Sequence, residues 1–134
     1  MEVVQLAQNF PRFMEPVENR MLMVEVQEKE LLEVIHSFQK DKIPGPDSWM
    51  IEFYLCFLDT LGSDLLHVVD ESRLDGFIHR PFNATFIALI RKSDESSSLD
   101  EYRLISLCNC IYKIISKIIS RQIKGVLSTF ISCE

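Results

Sequence analysis

The chain has 134 residues and a mass of 15.6 kDa, enough for one domain and hardly two. Hydrophobic residues make up 47% and charged residues 25%, globular usage that excludes a wholly disordered chain. The 14 bases and 20 acids leave a net charge of -6, which excludes a compact, uniformly basic nucleic-acid binder.

The first 23 residues carry Pro11 and Pro16 and no clear period, so they read as an extended or poorly ordered segment. Met1 to Phe10 has no basic stretch ahead of an apolar one, so no secretory signal is expected. Cys56, Cys108, Cys110 and Cys133 are then expected as free thiols of an intracellular protein. A helix follows, roughly Val24 to Phe38, with Leu31, Leu32, Ile35 and Phe38 on one side. Two prolines and a glycine in Ile43-Pro44-Gly45-Pro46-Asp47 must break it. Asp47 is a fitting N-cap for a second helix through Trp49, Phe53, Tyr54 and Phe57. Gly62-Ser63-Asp64 reads as the start of a third, with Leu65, Leu66, Val68, Val69 and Leu74 buried and Gly76 at its end.

The pattern then changes. Thr85 to Ile90 is short, β-rich and follows Pro81, and Arg103 to Leu107 is a second strand candidate. The connection from Lys92 to Tyr102 is long for a hairpin, and Ser93 to Asp100 is its polar stretch. Asn109 to Leu127 is the most regular segment. At about 100° per residue, Ile111, Ile114, Ile115, Ile118, Ile119, Ile123 and Val126 fill one face. Lys113, Lys117, Arg121 and Lys124 gather opposite, where they suit either water or phosphates. The fold class is therefore α+β: about four helices with a small antiparallel β-hairpin. No apolar run reaches the length of about 18 residues that spans a bilayer, so no membrane partner is expected.

Charge is unevenly spread. Residues 1–36 hold seven acids against three bases, a balance of -4; residues 103–134 hold five bases and one acid, a balance of +4. No phosphate loop, dinucleotide fingerprint, nucleophile elbow or His-Glu-x-x-His motif is present. His36, His67 and His79 are scattered, and Cys108-x-Cys110 lacks a second ligand pair, so no metal site is read from the residues. The adjacent acids Asp70-Glu71, Asp94-Glu95 and Asp100-Glu101 read as solvated surface rather than paired metal ligands. No catalytic residue is assigned.

Three segments in order carry a further signal: Ile43-Pro44-Gly45-Pro46-Asp47, then Phe86-Ile87-Ala88-Leu89-Ile90-Arg91-Lys92, then Tyr102-Arg103-Leu104-Ile105-Ser106-Leu107-Cys108-Asn109. Together they resemble the start of the reverse transcriptase domain of plant LINE-type (non-LTR) retrotransposons. Cys110 to Lys117, Phe82-Asn83 and the Trp49 to Tyr54 helix continue the likeness, which runs from about Phe10 to Glu134. The resemblance implies that residues 24–134 are a partial reverse transcriptase domain, the fingers and the first palm helix. It implies that Gly45, Pro46 and Asp47 lie near an RNA/DNA duplex. It also implies that Lys92 and Arg103 form a hairpin over the incoming deoxynucleoside triphosphate, an anion that an Arg fork and a Lys point charge neutralise.

The family's turn reads Pro-Gly-Pro-Asp-Gly, whereas Ser48 holds the last place here; with positive φ that serine is strained by about 1 kcal/mol. Arg91 and Leu104 likewise stand where the family has proline, which loosens the hairpin. In the full-length family magnesium is held by aspartates of the palm, and their positions fall after Glu134. The chain alone is therefore expected to hold no metal or cofactor and to be inactive. The alternative is a non-enzymatic interaction module, self-associating or pairing with a homologous polymerase through an exposed Ile-rich face of the last helix.

Overall fold

A computed structural model describes residues 24–95 and 98–130, with side chains through Leu127. The expected extended segment 1–23 and Cys133 lie outside the described residues. The elements in chain order are α1 (Glu28–His36), α2 (Ile51–Cys56), α3 (Leu58–Asp75), β1 (Thr85–Arg91), a 3-10 turn (Leu99–Glu101), β2 (Tyr102–Cys108) and α4 (Cys110–Phe130). Among the described residues this is an α+β fold with four helices and one two-stranded antiparallel sheet. Among the described residues, no helix is long and apolar enough to cross a membrane. Cys56, Cys108 and Cys110 are free thiols.

The chain divides into two compact units, residues 26–121 and residues 1–25 with 122–134. In the larger unit, Leu31, Val34 and Ile35 of α1 meet Ile51 and Tyr54 of α2, Leu65 and Val69 of α3, and Cys110, Ile114, Ile115 and Ile118 of α4 in one buried cluster. Each such aliphatic side chain removed from water contributes about 1.5–3 kcal/mol. Of the smaller unit, Val24, Glu25 and the last turns of α4 are described, and Val126 is buried there.

Several boundaries differ from the sequence-based ones, each for a tertiary reason. Helix α1 begins at Glu28 rather than Val24. Gln27 is extended, and buried Val26 donates its backbone N–H to Asp70 Oδ1 at 3.4 Å, so these residues are tied to α3. Asp47 does not cap α2, which starts at Ile51 after the extended Met50. Helix α3 starts at Leu58 rather than at Gly62. Phe57, with φ -108 and ψ 20, breaks the run, yet its carbonyl accepts the N–H groups of Thr60 and Leu61 and launches the next helix. Leu74, expected inside, is 74% exposed on the last turn, while Ser72 takes a buried place. Gly76 ends α3 with φ 72, the left-handed conformation expected at that position.

The Ile-rich face expected to stand open is mostly closed. Ile114, Ile115 and Ile118 are 1%, 3% and 1% exposed, because α1 and α2 of the same chain cover them. Ile119 and Ile123 of the same face stay exposed, at 47% and 40%, and further exposed apolar surface lies on the hairpin, at Phe86, Ile87, Leu89, Ile90 and Leu104.

Candidate nucleic-acid interface

The three sequence segments that carry the resemblance meet in space. Gly45, Pro46, Asp47 and Ser48 form a turn in which the Ser48 N–H donates to the Gly45 carbonyl at 3.0 Å. Pro46 suits the second place of such a turn because its φ is already fixed. Gly45 packs directly on the backbone where β2 passes into α4. A Cβ built there falls 2.5 Å from both Asn109 N and Cys108 C, so no other residue fits without movement. Ser48 has φ 61, the positive value foreseen for the place where the family carries glycine.

Asn109 holds this junction. It is 2% exposed, accepts the Asp47 N–H on Oδ1 at 3.1 Å and donates Nδ2 to the Pro81 carbonyl at 3.0 Å. Its own N–H donates to the Ala84 carbonyl and its carbonyl accepts from Lys113 N–H, so it ends the hairpin and opens α4. One side chain thus joins the turn, the approach to β1 and the end of β2. The Asp47 carboxylate is spent locally, accepting the Trp49 N–H at 3.1 Å. In the sequence Asn109 stands at the start of a helix and at the end of the third resembling segment, with no site role assigned to it. The available signal was a lone polar residue between an apolar strand and an apolar helix.

The hairpin positions Lys92 and Arg103. Strands β1 and β2 pair Thr85 with Cys108 through Arg91 with Tyr102, and Ile90 lies opposite Arg103. The ladder continues one step, with Lys92 N–H donating to the Glu101 carbonyl at 2.8 Å. Because side chains alternate along a strand and partners share a face, Lys92, Ile90 and Arg103 stand on the same face. Arg103 is exposed and has no ion pair with Asp100 or Glu101. Lys92 Nζ donates to the Asp100 carbonyl at 2.6 Å, so that cation is engaged by the loop. The 3-10 turn that precedes β2 carries a capping box in which the Glu101 carboxylate accepts the Ser98 N–H at 3.2 Å.

The basic residues of α4 are not one equivalent stripe. Arg121 NH2 donates to Glu33 Oε2 at 2.7 Å, an exposed pair joining α4 to α1. Lys117 Nζ donates to the Ser37 carbonyl at 3.0 Å and lies 4.1 Å from the Phe38 ring centroid. Lys113 stands on the first turn with no carboxylate in ion-pair range among the described residues. Lys124 belongs to the smaller unit.

His79, read as isolated, has company. Its Nε2 is 3.2 Å from Asp75 Oδ2 and 3.9 Å from Glu71 Oε1 at the end of α3. Ligand atoms of the three residues lie within 4.8 Å of one another. All three side chains are substantially open to water.

No protein-family model matches the chain. Over 102 residues, 76% of its length, it is 32% identical to the Transposon TX1 uncharacterized 149 kDa protein of Xenopus laevis. The chain spans 8% of the length of that protein. The similarity supports a transposon origin for the chain.

Proposed function

We propose that the chain is a reverse transcriptase-like piece of a LINE-type (non-LTR) retrotransposon, resembling those of plants, the fingers and first palm helix of an RNA-directed DNA polymerase. The observation that carries this reading is the junction at Asn109. Gly45 and Asp47 of the turn close directly on Cys108 and Asn109, which joins two of the segments that carry the resemblance. Similarity to a transposon protein over most of the chain supports the same origin.

On this reading Arg103 is the nucleotide-facing cation of the hairpin. Its guanidinium has no ion-pair partner among the described residues, and a triphosphate gains two parallel charge-assisted hydrogen bonds from it. Lys92 adds a point charge once released from the Asp100 carbonyl. The turn residues Gly45, Pro46 and Asp47 lie along the duplex, and RNA, DNA and deoxynucleoside triphosphate are partners of the assembled polymerase. Magnesium belongs to that assembly. Nucleotidyl transfer needs cations fixed by several carboxylates, and the metal-capable group among the described residues, Glu71-Asp75-His79, is built from the end of α3 and not from the hairpin. The chain alone therefore performs no polymerisation.

Primer extension on an RNA template with magnesium tests both parts. The purified chain yields no extended primer; template-dependent synthesis overturns the inactivity. Placed in a competent LINE-type polymerase in place of its own segment, residues 24–134 support extension. There Arg103→Ala raises the KM for nucleotide at least about tenfold, a loss of roughly 1.4 kcal/mol. An Arg103→Ala chimera with unchanged KM removes the hairpin from the nucleotide site.

A further inference from the structure

Acids outnumber bases 20 to 14 in this chain, yet the described lining of one cavity holds bases without acids. It has a volume of about 600 Å³ and lies between the loop after α1, the turn that precedes α2 and the start of α4. Clefts of about 300–1,000 Å³ accept small organic ligands. Among the described residues its wall carries Lys42, Lys113 and Lys117, two aromatic rings, Phe38 and Trp49, and no carboxylate.

The three lysines are not equally committed. Lys117 is held by the Ser37 carbonyl and the Phe38 ring. The Lys42 and Lys113 ammonium groups have no hydrogen-bond or ion-pair partner among the described residues, so two cations face this space uncompensated. Lys113 also stands on the first turn of a 21-residue helix, where the backbone adds positive potential. Trp49 rests on Phe53 at a centroid distance of 4.0 Å and is 47% exposed, a supported ring with free area. Burial pushes the neighbouring Cys110 thiol up to about 11, so no thiolate opposes an anion.

We propose that this cavity seats a phosphate-bearing nucleobase, with the base against Trp49 and the phosphates on Lys42 and Lys113. Supported aromatic rings stack any base, and separated ammonium groups neutralise successive phosphates. An acidic peptide would use the lysines but leave the indole without a flat partner. The hairpin residues play no part, so this site goes beyond the nucleotide contact assigned to Arg103. The same chemistry belongs to a free nucleotide and to a single strand.

Trp49 is the one tryptophan of the chain, so its fluorescence reports directly. A thymidylate decamer in low salt should quench it saturably. Lys42→Glu with Lys113→Glu should weaken that binding at least tenfold. The same pair should flatten the slope of log affinity against log salt by about 1.4, at roughly 0.7 per phosphate contact on a single strand. An acid on the first helical turn is well tolerated, and unchanged circular dichroism verifies the fold. Thymidine monophosphate saturating as tightly as the decamer assigns the site to a free nucleotide; weaker saturation assigns it to a strand. No quenching, quenching unchanged in the double variant, or equal quenching by polyglutamate of matched charge overturns the proposal. Lys92→Ala with Arg103→Ala should leave the quenching intact. If that pair abolishes it, the cavity assignment fails while the polymerase reading stands. Intact quenching with a dead chimera means the reverse.

Discussion

Ser48 shows how one side chain registers a departure from a pattern. Its φ of 61 lies in the left-handed region, where a Cβ crowds the following carbonyl at a cost of about 1 kcal/mol. The conformation persists because its neighbours determine it. Ser48 N–H is bound to Gly45, Asp47 is bound on both sides, and Gly45 has no room to retreat from Cys108. Ser48→Gly should relieve the crowding without touching a buried group. The expected gain is about 1 kcal/mol, less the entropy that glycine adds to the unfolded chain, or a melting temperature higher by about 3 °C. A melting temperature that stays level or falls in calorimetry would mean the turn stores no such strain.

At the scale of elements, the packing of α2 on α4 has a titratable seam. Tyr54 and Cys110 are both buried in it, and burial holds both groups protonated well above their ordinary ranges, the thiol to about 11. In the unfolded chain the thiol ionises near pH 9, so between about pH 9 and 11 the unfolded state binds fewer protons than the native one. Stability is therefore full below pH 9 and falls as pH rises through this window, by on the order of 2 kcal/mol. Urea melts at pH 8 and pH 10.5 should show the loss, and Cys110→Ala should remove part of it. Equal midpoints for parent and variant at both values would place the thiol outside the seam.

The same seam shows what was legible in the sequence. The 3.6-residue period of Ile111 to Ile118 announced α4 and its buried side, and the β-rich run at 85–90 announced the hairpin, because both signals are local. Asp47 was misread because an Asp ahead of a helix caps it only if the chain turns helical at once. Here a left-handed Ser48 and an extended Met50 intervene. Leu74 was misread because a periodic apolar residue has no partner once the helix outruns its neighbours. For the site, the strand positions of Lys92 and Arg103 were readable, whereas their unequal engagement was not. The carbonyl that holds Lys92 comes from the loop, and loops carry little pattern. Asn109 and the Lys42-Trp49-Lys113 wall assemble from residues as many as 71 apart, separations that no local rule reaches.

At the scale of the whole molecule, the hairpin is the part least provided for. A two-stranded ribbon is marginal in water unless further strands or a helix cover it. Ile87, Leu89 and Leu104 stand on one face of this ribbon at 69%, 52% and 74% exposure, and both strands keep an outer edge without a strand partner among the described residues. Ile114, Ile115 and Ile118 of α4 are buried, so this ribbon is a second open apolar surface, beside Ile119 and Ile123, on which self-association is to be tested. Burial of several such side chains between two copies is worth enough to drive association in the tens of micromolar, equivalent to about 6 kcal/mol. Sedimentation of the parent should show mass rising with concentration over that range. Because the driving force is apolar, added salt should not reverse it, whereas an association held by ion pairs would weaken. Ile87→Thr with Leu104→Thr keeps β-branched or strand-compatible side chains but removes the apolar area. This variant should sediment as a monomer with its melting temperature nearly unchanged, as exposed positions contribute little to folding. A parent that stays monomeric throughout leaves the ribbon without a partner in its own kind.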